Sequence, residues 1–262
     1  MTVANELLAA GDLDGARAAL VEAVKRSPDD QGARMFLFQL LAVCGEWDKA
    51  VAQARALASL SAEAQMMATV YNQAVAAEKR RLEAWAGRQP FEVLSASSPW
   101  IERLAEALGA MAQGRESEGE ALRDQAFEEA GDTPGVRDEA KFAWVADIDP
   151  RLGPCFEAIV GGRWGLIPFE AVDVIKVDGP NDLRDVVWLP VQIMLRSGQP
   201  AAALLPARYP GTETETDSDL RLGRKTEWRN GAGPERPVGQ KVWGFDDGEE
   251  AGLLTIGRLD FA

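Results

Sequence analysis

Along the first half of the chain, apolar residues recur every three to four positions, the period of helices that bury one face. One such stretch, LLAAGDLDGARAAL (Leu7 to Leu20), returns within Leu40 to Ala54 as LLAVCGEWDKAVAQA. Gly11 maps onto Gly45, Leu13 onto Trp47 and Ala16 onto Ala50, each 34 residues on, the period of tetratricopeptide-type hairpins. Gly11 and Gly45 stand where a helix ends in a left-handed cap, and Asp12 and Glu46 open the turn. Ala16 and Ala50 are small enough for two helices to approach closely. Ser27-Pro28-Asp29-Asp30 closes the first repeat, with proline where a helix begins rather than continues. A weaker third copy spans Ala107 to Leu122, with Gly114 in place of Gly45 and Gly119 in place of Ala50. Between the copies, Ser61 to Ala86 reads as one long helix, broken by Gly87-Arg88-Gln89-Pro90. Ser97-Ser98-Pro99 starts the next.

The pattern changes at Gly131-Asp132-Thr133-Pro134-Gly135. Beyond it helical periodicity fades and Gly, Pro, Trp and Val rise. Trp164 to Phe169, Val172 to Val177, Ala201 to Pro206, Gln240 to Phe245 and Leu253 to Arg258 read as short strands. Pro154 to Val160 reads as a short helix. Leu183 to Arg196 is ambiguous, a possible helix interrupted by Pro190. The expected fold is α+β: an all-α, tetratricopeptide-like repeat domain over residues 1–132, then a smaller α+β domain over 133–262 with short antiparallel strands.

Composition narrows the chemistry. Of 262 residues, 46% are hydrophobic and 27% charged, as in a globular protein, and the net charge is −14. The acidity is spread: 13 basic against 21 acidic residues precede Thr133, and 15 against 21 follow. Such a surface repels nucleic acid and anionic lipid, so neither is an expected partner. Two cysteines, Cys44 and Cys155, exclude a disulfide framework and suit a reducing cytosol. Neither a signal peptide nor a membrane span is legible, so a cytoplasmic location is expected. There is no histidine. That removes Ser-His and Cys-His nucleophiles, His-ligated zinc and the commonest general base.

The remaining motifs are weak as chemistry. Gly223-Arg224-Lys225-Thr226 has the wrong spacing for a phosphate loop. Asp217-Ser218-Asp219 lacks the further ligands of a calcium loop. No cofactor or metal is expected. Asp147 and Asp149, two apart on an extended segment, share a face and could form a catalytic pair with Arg151; caps and an Arg-carboxylate clamp between the domains are the better reading. Five of the 8 tryptophans follow the boundary: Trp144, Trp164, Trp188, Trp228 and Trp243. They read as core anchors, as a recognition surface, or as both.

Five segments taken together resemble a known family: Phe142 to Pro154, Gly162 to Phe169, Leu183 to Trp188, Ala207 to Gly211 and Leu222 to Trp228. Their order and spacing are similar to those of the ImpE/TagJ family, accessory proteins of bacterial type VI secretion. The resemblance implies a non-enzymatic cytoplasmic protein. It implies association with the N-terminal helical region of the small contractile-sheath subunit. An indirect link to the AAA+ unfoldase that recycles the sheath follows by analogy. Partner contact is then expected from Trp144, Asp147, Asp149, Arg151, Trp164, Arg184, Trp188, Arg208, Tyr209, Arg221, Arg224 and Trp228. The acidic run after Tyr209-Pro210-Gly211 is expected to be a mobile loop. The groove for the helix is expected among the aromatics of the second half or on the repeats. The competing readings are a hydrolase-like enzyme built on Asp147, Asp149 and Arg151, and a general peptide-binding repeat scaffold.

Overall fold

A computed structural model describes residues 2–95, 98–231, 233–246 and 248–262. Seven helices come first: α1 (Val3–Ala9), α2 (Leu13–Arg26), α3 (Gln31–Val43), α4 (Trp47–Ala58), α5 (Ala62–Trp85), α6 (Pro99–Ala112) and α7 (Glu116–Glu129). The repeat signals do what their positions require. Gly11, Gly45 and Gly114 all adopt positive φ (79°, 70° and 78°), reversing the chain after α1, α3 and α6. Asp12 caps α2, accepting from the Gly15 N–H at 2.8 Å. Glu46 caps nothing; it pairs with Arg17 of the preceding hairpin instead. Ala16 and Ala50 are fully buried. At Gly119, a Cβ would come within 2.4 Å of Met111, so a side chain there would prise α7 off α6. Pro99 opens α6; Ser97 lies outside the described residues. Among the described residues, no helix is long and apolar enough to cross a membrane.

The second half supplies β1 (Gly135–Arg137), β2 (Ala140–Phe142), β3 (Val145–Asp147), β4 (Cys155–Val160), β5 (Arg163–Pro168), β6 (Val172–Val177), β7 (Trp188–Leu195), β8 (Pro200–Pro206), a single helical turn α8 (Ser218–Arg221), β9 (Thr226–Gly231), β10 (Gly233–Gly239), β11 (Val242–Phe245), β12 (Glu250–Gly252) and β13 (Arg258–Phe261). An eight-stranded sheet runs β2-β1-β13-β6-β7-β8-β4-β5, with every neighbouring pair antiparallel. A three-stranded sheet, β12-β11-β3, packs on one face of it, with Trp243 against Phe156 and Phe169 at ring distances of 5.7 and 5.0 Å. β9 and β10 form a separate ribbon. The α+β expectation with antiparallel strands holds.

Three local expectations are corrected. Residues 154–160 hold strand β4, not a helix. Cys155 and Ile159 join the helical core, while Phe156 and Ala158 join the core between the sheets. A strand buried on both faces loses its alternation and reads as an unbroken apolar run. The ambiguous 183–196 stretch is a 3-10 turn (Leu183–Val186) followed by β7. Pro190 is tolerated because β6 ends opposite Val191, so the ladder on that side has stopped. Leu253–Thr255 is a 3-10 turn, with the strand beginning only at Arg258.

Helices cover the other face of the large sheet around β4 and β5. One continuous core runs from Phe38, Leu40 and Trp100 in the helices to Ile159, Trp164, Leu166 and Trp188 in the strands. The change from helices to strands near residue 132 is therefore no gap in the core. The 183–188 segment lies on α3 and α5. The Leu183 N–H bonds Gln39 Oε1 at 3.2 Å, Arg184 sits over the Tyr71 ring at 4.7 Å, and Trp188 meets Trp47 and Tyr71.

Candidate functional site

The charged residues hidden at the helix–sheet junction converge on α5. Glu78 and Arg81 lie three residues apart and so share a face of that helix. Arg81 donates from Nε and Nη2 to the two oxygens of Glu157 on β4, at 2.7 and 2.9 Å, and from Nη1 to Glu78 at 2.8 Å. Such two-point contacts are strong and directional. The indole N–H groups of Trp85 and Trp164 also reach Glu157, at 3.0 and 3.1 Å, and that of Trp188 reaches Glu78 at 3.0 Å. Lys241 bridges Glu157 and Asp147 at 3.1 and 2.9 Å. Asp147 also accepts from the Tyr209 hydroxyl at 2.9 Å. Asp149 binds Arg151 through both oxygens, and Arg151 stacks over the Trp85 ring at 4.4 Å. Four acids (Glu78, Asp147, Asp149, Glu157) thus face four bases (Arg81, Arg151, Arg208, Lys241), all buried.

Burial alone would raise the pKa of Glu157, but the Arg81 and Lys241 charges and the hydrogen bonds outweigh it and hold the carboxyl well below its usual range. Burial dominates at Asp147, whose pKa is raised; its ammonium partner is shared with Glu157, and Asp149 adds a second negative charge. Burial acts to lower Lys241, yet its two carboxylates raise it. Burial pulls Arg208 down to about 10. Its guanidinium donates to the carbonyls of Val43, at 3.0 Å, and Arg221, the last residues of α3 and α8. It ties two helix ends together where their carbonyls are unsatisfied.

The twelve expected contact residues separate into groups. Asp147, Asp149, Arg151, Trp164, Trp188, Arg208 and Tyr209 are enclosed in the junction and present nothing to a partner in this structure. Arg184 and Arg221 are half-buried. Trp144 (39%), Trp228 (43%) and Arg224 are exposed. The acidic run is a folded segment rather than a mobile loop. Gly211 takes φ 88°, Thr212 is fully buried and bonds both Tyr209 and Gly239, and Asp217 caps α8. Lys225 pairs with Asp217 and Glu227 at 2.7 and 2.6 Å. The 223–226 stretch leaves a helical turn and enters strand β9, the reverse of the strand-to-helix order of a phosphate loop.

All twelve residues fall within the stretch that matches one family model. Residues 139–260 match the family model described as ImpE protein, and residues 7–70 match a tetratricopeptide repeat model. Over 259 residues the chain is 45% identical to a Pseudomonas aeruginosa protein, the type VI secretion system accessory component TagJ, covering 99% of this chain and 91% of the relative. The chain belongs to the ImpE/TagJ family. The crystal structure of protein VPA1032 from Vibrio parahaemolyticus has the same fold at 22% identity, with a TM-score of 0.87 over 100% of this chain and 98% of that one.

The ImpE/TagJ signature thus maps largely onto a polar junction, and half of that junction escapes sequence reading. Glu78 and Arg81 sit in a helix with many charges, and nothing marks those two as inward. Glu157 carries a usable signal: one carboxylate in the apolar run Cys155 to Val160. Lys241, just before the apolar β11, carries the same one.

Glu157 also sets an acid limit. A carboxyl whose folded pKa is depressed adds stability above its unfolded value, near 4.5, and that stability is lost as pH falls toward the folded pKa. Asp147 is shifted the other way, by its burial, and acts in the opposite sense. Melting temperatures are expected to fall steeply below about pH 4.5 in the wild type. Glu157→Gln should melt lower at pH 7, with a shallower acid slope, so that the two curves converge at low pH. Parallel curves in thermal circular dichroism would refute the assignment.

Proposed function

We propose that this protein is a non-enzymatic, cytoplasmic accessory protein of type VI secretion. As an adaptor it binds the N-terminal helical region of the small contractile-sheath subunit and assists sheath assembly or disassembly, with an indirect connection to the AAA+ unfoldase. The observation that carries this is the 45% identity, over nearly the whole chain, to a protein named as a type VI secretion accessory component. The sheath partner rests on the family resemblance. The junction supports an adaptor over a hydrolase: Asp147, Asp149 and Arg151 are enclosed and already paired, so a substrate would have to break buried ion pairs. A general repeat scaffold is disfavoured because the 183–188 segment already covers part of α3 and α5. Of the twelve expected contact residues, Trp144, Arg224 and Trp228 are the exposed ones a partner would meet.

Titrating the full-length protein into a labelled peptide of the sheath subunit's N-terminal helix, from the same organism, is expected to give saturable anisotropy with a shift in tryptophan emission. No binding up to high micromolar concentration would overturn the adaptor reading.

A further inference from the structure

The outer face of the three-stranded sheet is apolar in its middle, where the open face of an antiparallel sheet is ordinarily polar. The inner side chains, Val145, Trp243 and Phe245, fill the core between the sheets. Strand alternation turns Ala146, Gly244 and Glu250 the other way, and those three stand in one row across β3, β11 and β12. Ile148 and Val242 lie beside that row, the Ile148 N–H donating to the Val242 carbonyl at 3.1 Å. Ala146, Ile148 and Val242 belong to neither hydrophobic core.

Gly244 sits in the centre of this face without a reason inside the chain. A glycine within a strand weakens it, and marks a bulge, a bend or the close approach of another group. At Gly165 of β5 that group is the Glu92 carbonyl, 2.6 Å from where a Cβ would stand. At Gly244 φ is not positive, and the pairing with β12 and β3 runs without a register shift. Among the described residues a Cβ there would meet only Ile148, at an ordinary contact distance of 3.5 Å. The fold has room for a side chain that the sequence withholds, which leaves close approach from outside the chain.

The rim selects the occupant. Trp144, 39% exposed, stands one residue before β3. Asp246, directly after β11, accepts from the Ala143 N–H at 2.7 Å, which fixes its carboxylate next to Trp144. Glu250 closes the row from β12. Neither Asp246 nor Glu250 has an ion-pair partner among the described residues. The cations of the adjoining β1–β2 hairpin are turned elsewhere. Arg137 stacks on Phe245 at 4.3 Å and pairs with Glu249, and Lys141, next to the inward Phe142, faces the far side of the large sheet. The face therefore offers one indole and two carboxylates without a base. That is the chemistry of an arginine, whose guanidinium stacks on an indole while its N–H fork donates to carboxylates.

We propose that this face docks an arginine-bearing segment of a partner protein, its backbone passing over Gly244 and its guanidinium lying on Trp144 beside Asp246. The site does not depend on the sheath subunit being that partner. The probe is labelled hexa-arginine, titrated by anisotropy with the full-length protein at about 150 mM salt, which screens the diffuse attraction of a −14 chain. Gly244→Thr places a β-branched residue in a strand, so it should melt at or above the wild type, yet weaken binding by about fivefold or more. Trp144→Ala should weaken binding as much, and so should Asp246→Asn combined with Glu250→Gln. Glu63→Gln combined with Glu128→Gln removes the same charge from exposed positions on α5 and α7, and should change binding by less than about twofold. Hexa-lysine should bind more weakly than hexa-arginine. Undiminished binding by Gly244→Thr or Trp144→Ala overturns the site, as does a Gly244→Thr that melts well below the wild type, because the fold would then need the glycine. Equal loss in the two doubles, or equal binding of hexa-lysine, means diffuse attraction and also overturns it. Loss in Trp228→Ala alone does the same and moves the contact to the β9–β10 ribbon. Failure of the wild type to bind hexa-arginine overturns the site and leaves the adaptor reading to its own titration.

Discussion

Residues 133–262 produced without the helices are expected to be insoluble or molten, with no cooperative melt. The argument is one of magnitude. Removing the helices would expose Ile159, Trp164, Leu166 and Trp188, all now buried. At about 1.5–3 kcal/mol each, those four alone forfeit about 6–12 kcal/mol, as much as the whole stability of an ordinary domain. Glu157 would also lose Arg81 and Trp85, and the Trp188 indole N–H would lose its acceptor, Glu78. Near-UV circular dichroism and size exclusion of the isolated half check this. A sharp thermal transition with native-like near-UV signal would show that the two halves are independent domains after all. A binding experiment on the isolated half is accordingly a poor way to locate the partner site, and point variants in the intact chain are better.

Arg81→Met should cost about 3–5 kcal/mol, because it leaves the buried carboxylates of Glu78 and Glu157 short of a positive charge. For a chain of this size that lowers the melting temperature by on the order of 10 °C. The cost belongs to the orphaned charges more than to the arginine. Arg81→Met combined with Glu157→Gln should therefore recover part of the loss, a positive coupling that a double-mutant cycle reads directly. A single variant that melts with the wild type would mean that the network does not hold the junction. The apolar contacts supply the net affinity of helices for sheet, since buried ion pairs roughly break even against apolar substitutes. The ions fix which face of α5 meets β4.

The helical half was legible because its signals are local. A glycine that reverses the chain at Gly11, Gly45 and Gly114, and a small residue at Ala16, Ala50 and Gly119, each act within a few residues of their own position. The strands were legible where one face meets solvent or a turn bounds them, as in β5, β6, β8 and β11. β4 and the start of β7 were not, because burial on both faces erases alternation. The signature residues were legible as a set, but their role was not. Trp188 and Arg208 meet Glu78 and Val43, partners 110 and 165 residues away in the chain. No local pattern says whether such a side chain points into a junction or out to a partner.

The strand order has a consequence for how the protein is made. β13 lies between β1 and β6, so two strands produced early share a neighbour that leaves the ribosome after every other strand. The helices need only near neighbours and can form on the nascent chain. The sheet cannot close until residues 258–261 arrive. During synthesis, β1 and β6 each offer an open edge, and the finished helices, already bearing Glu78 and Arg81, are the surface on which the later strands collect.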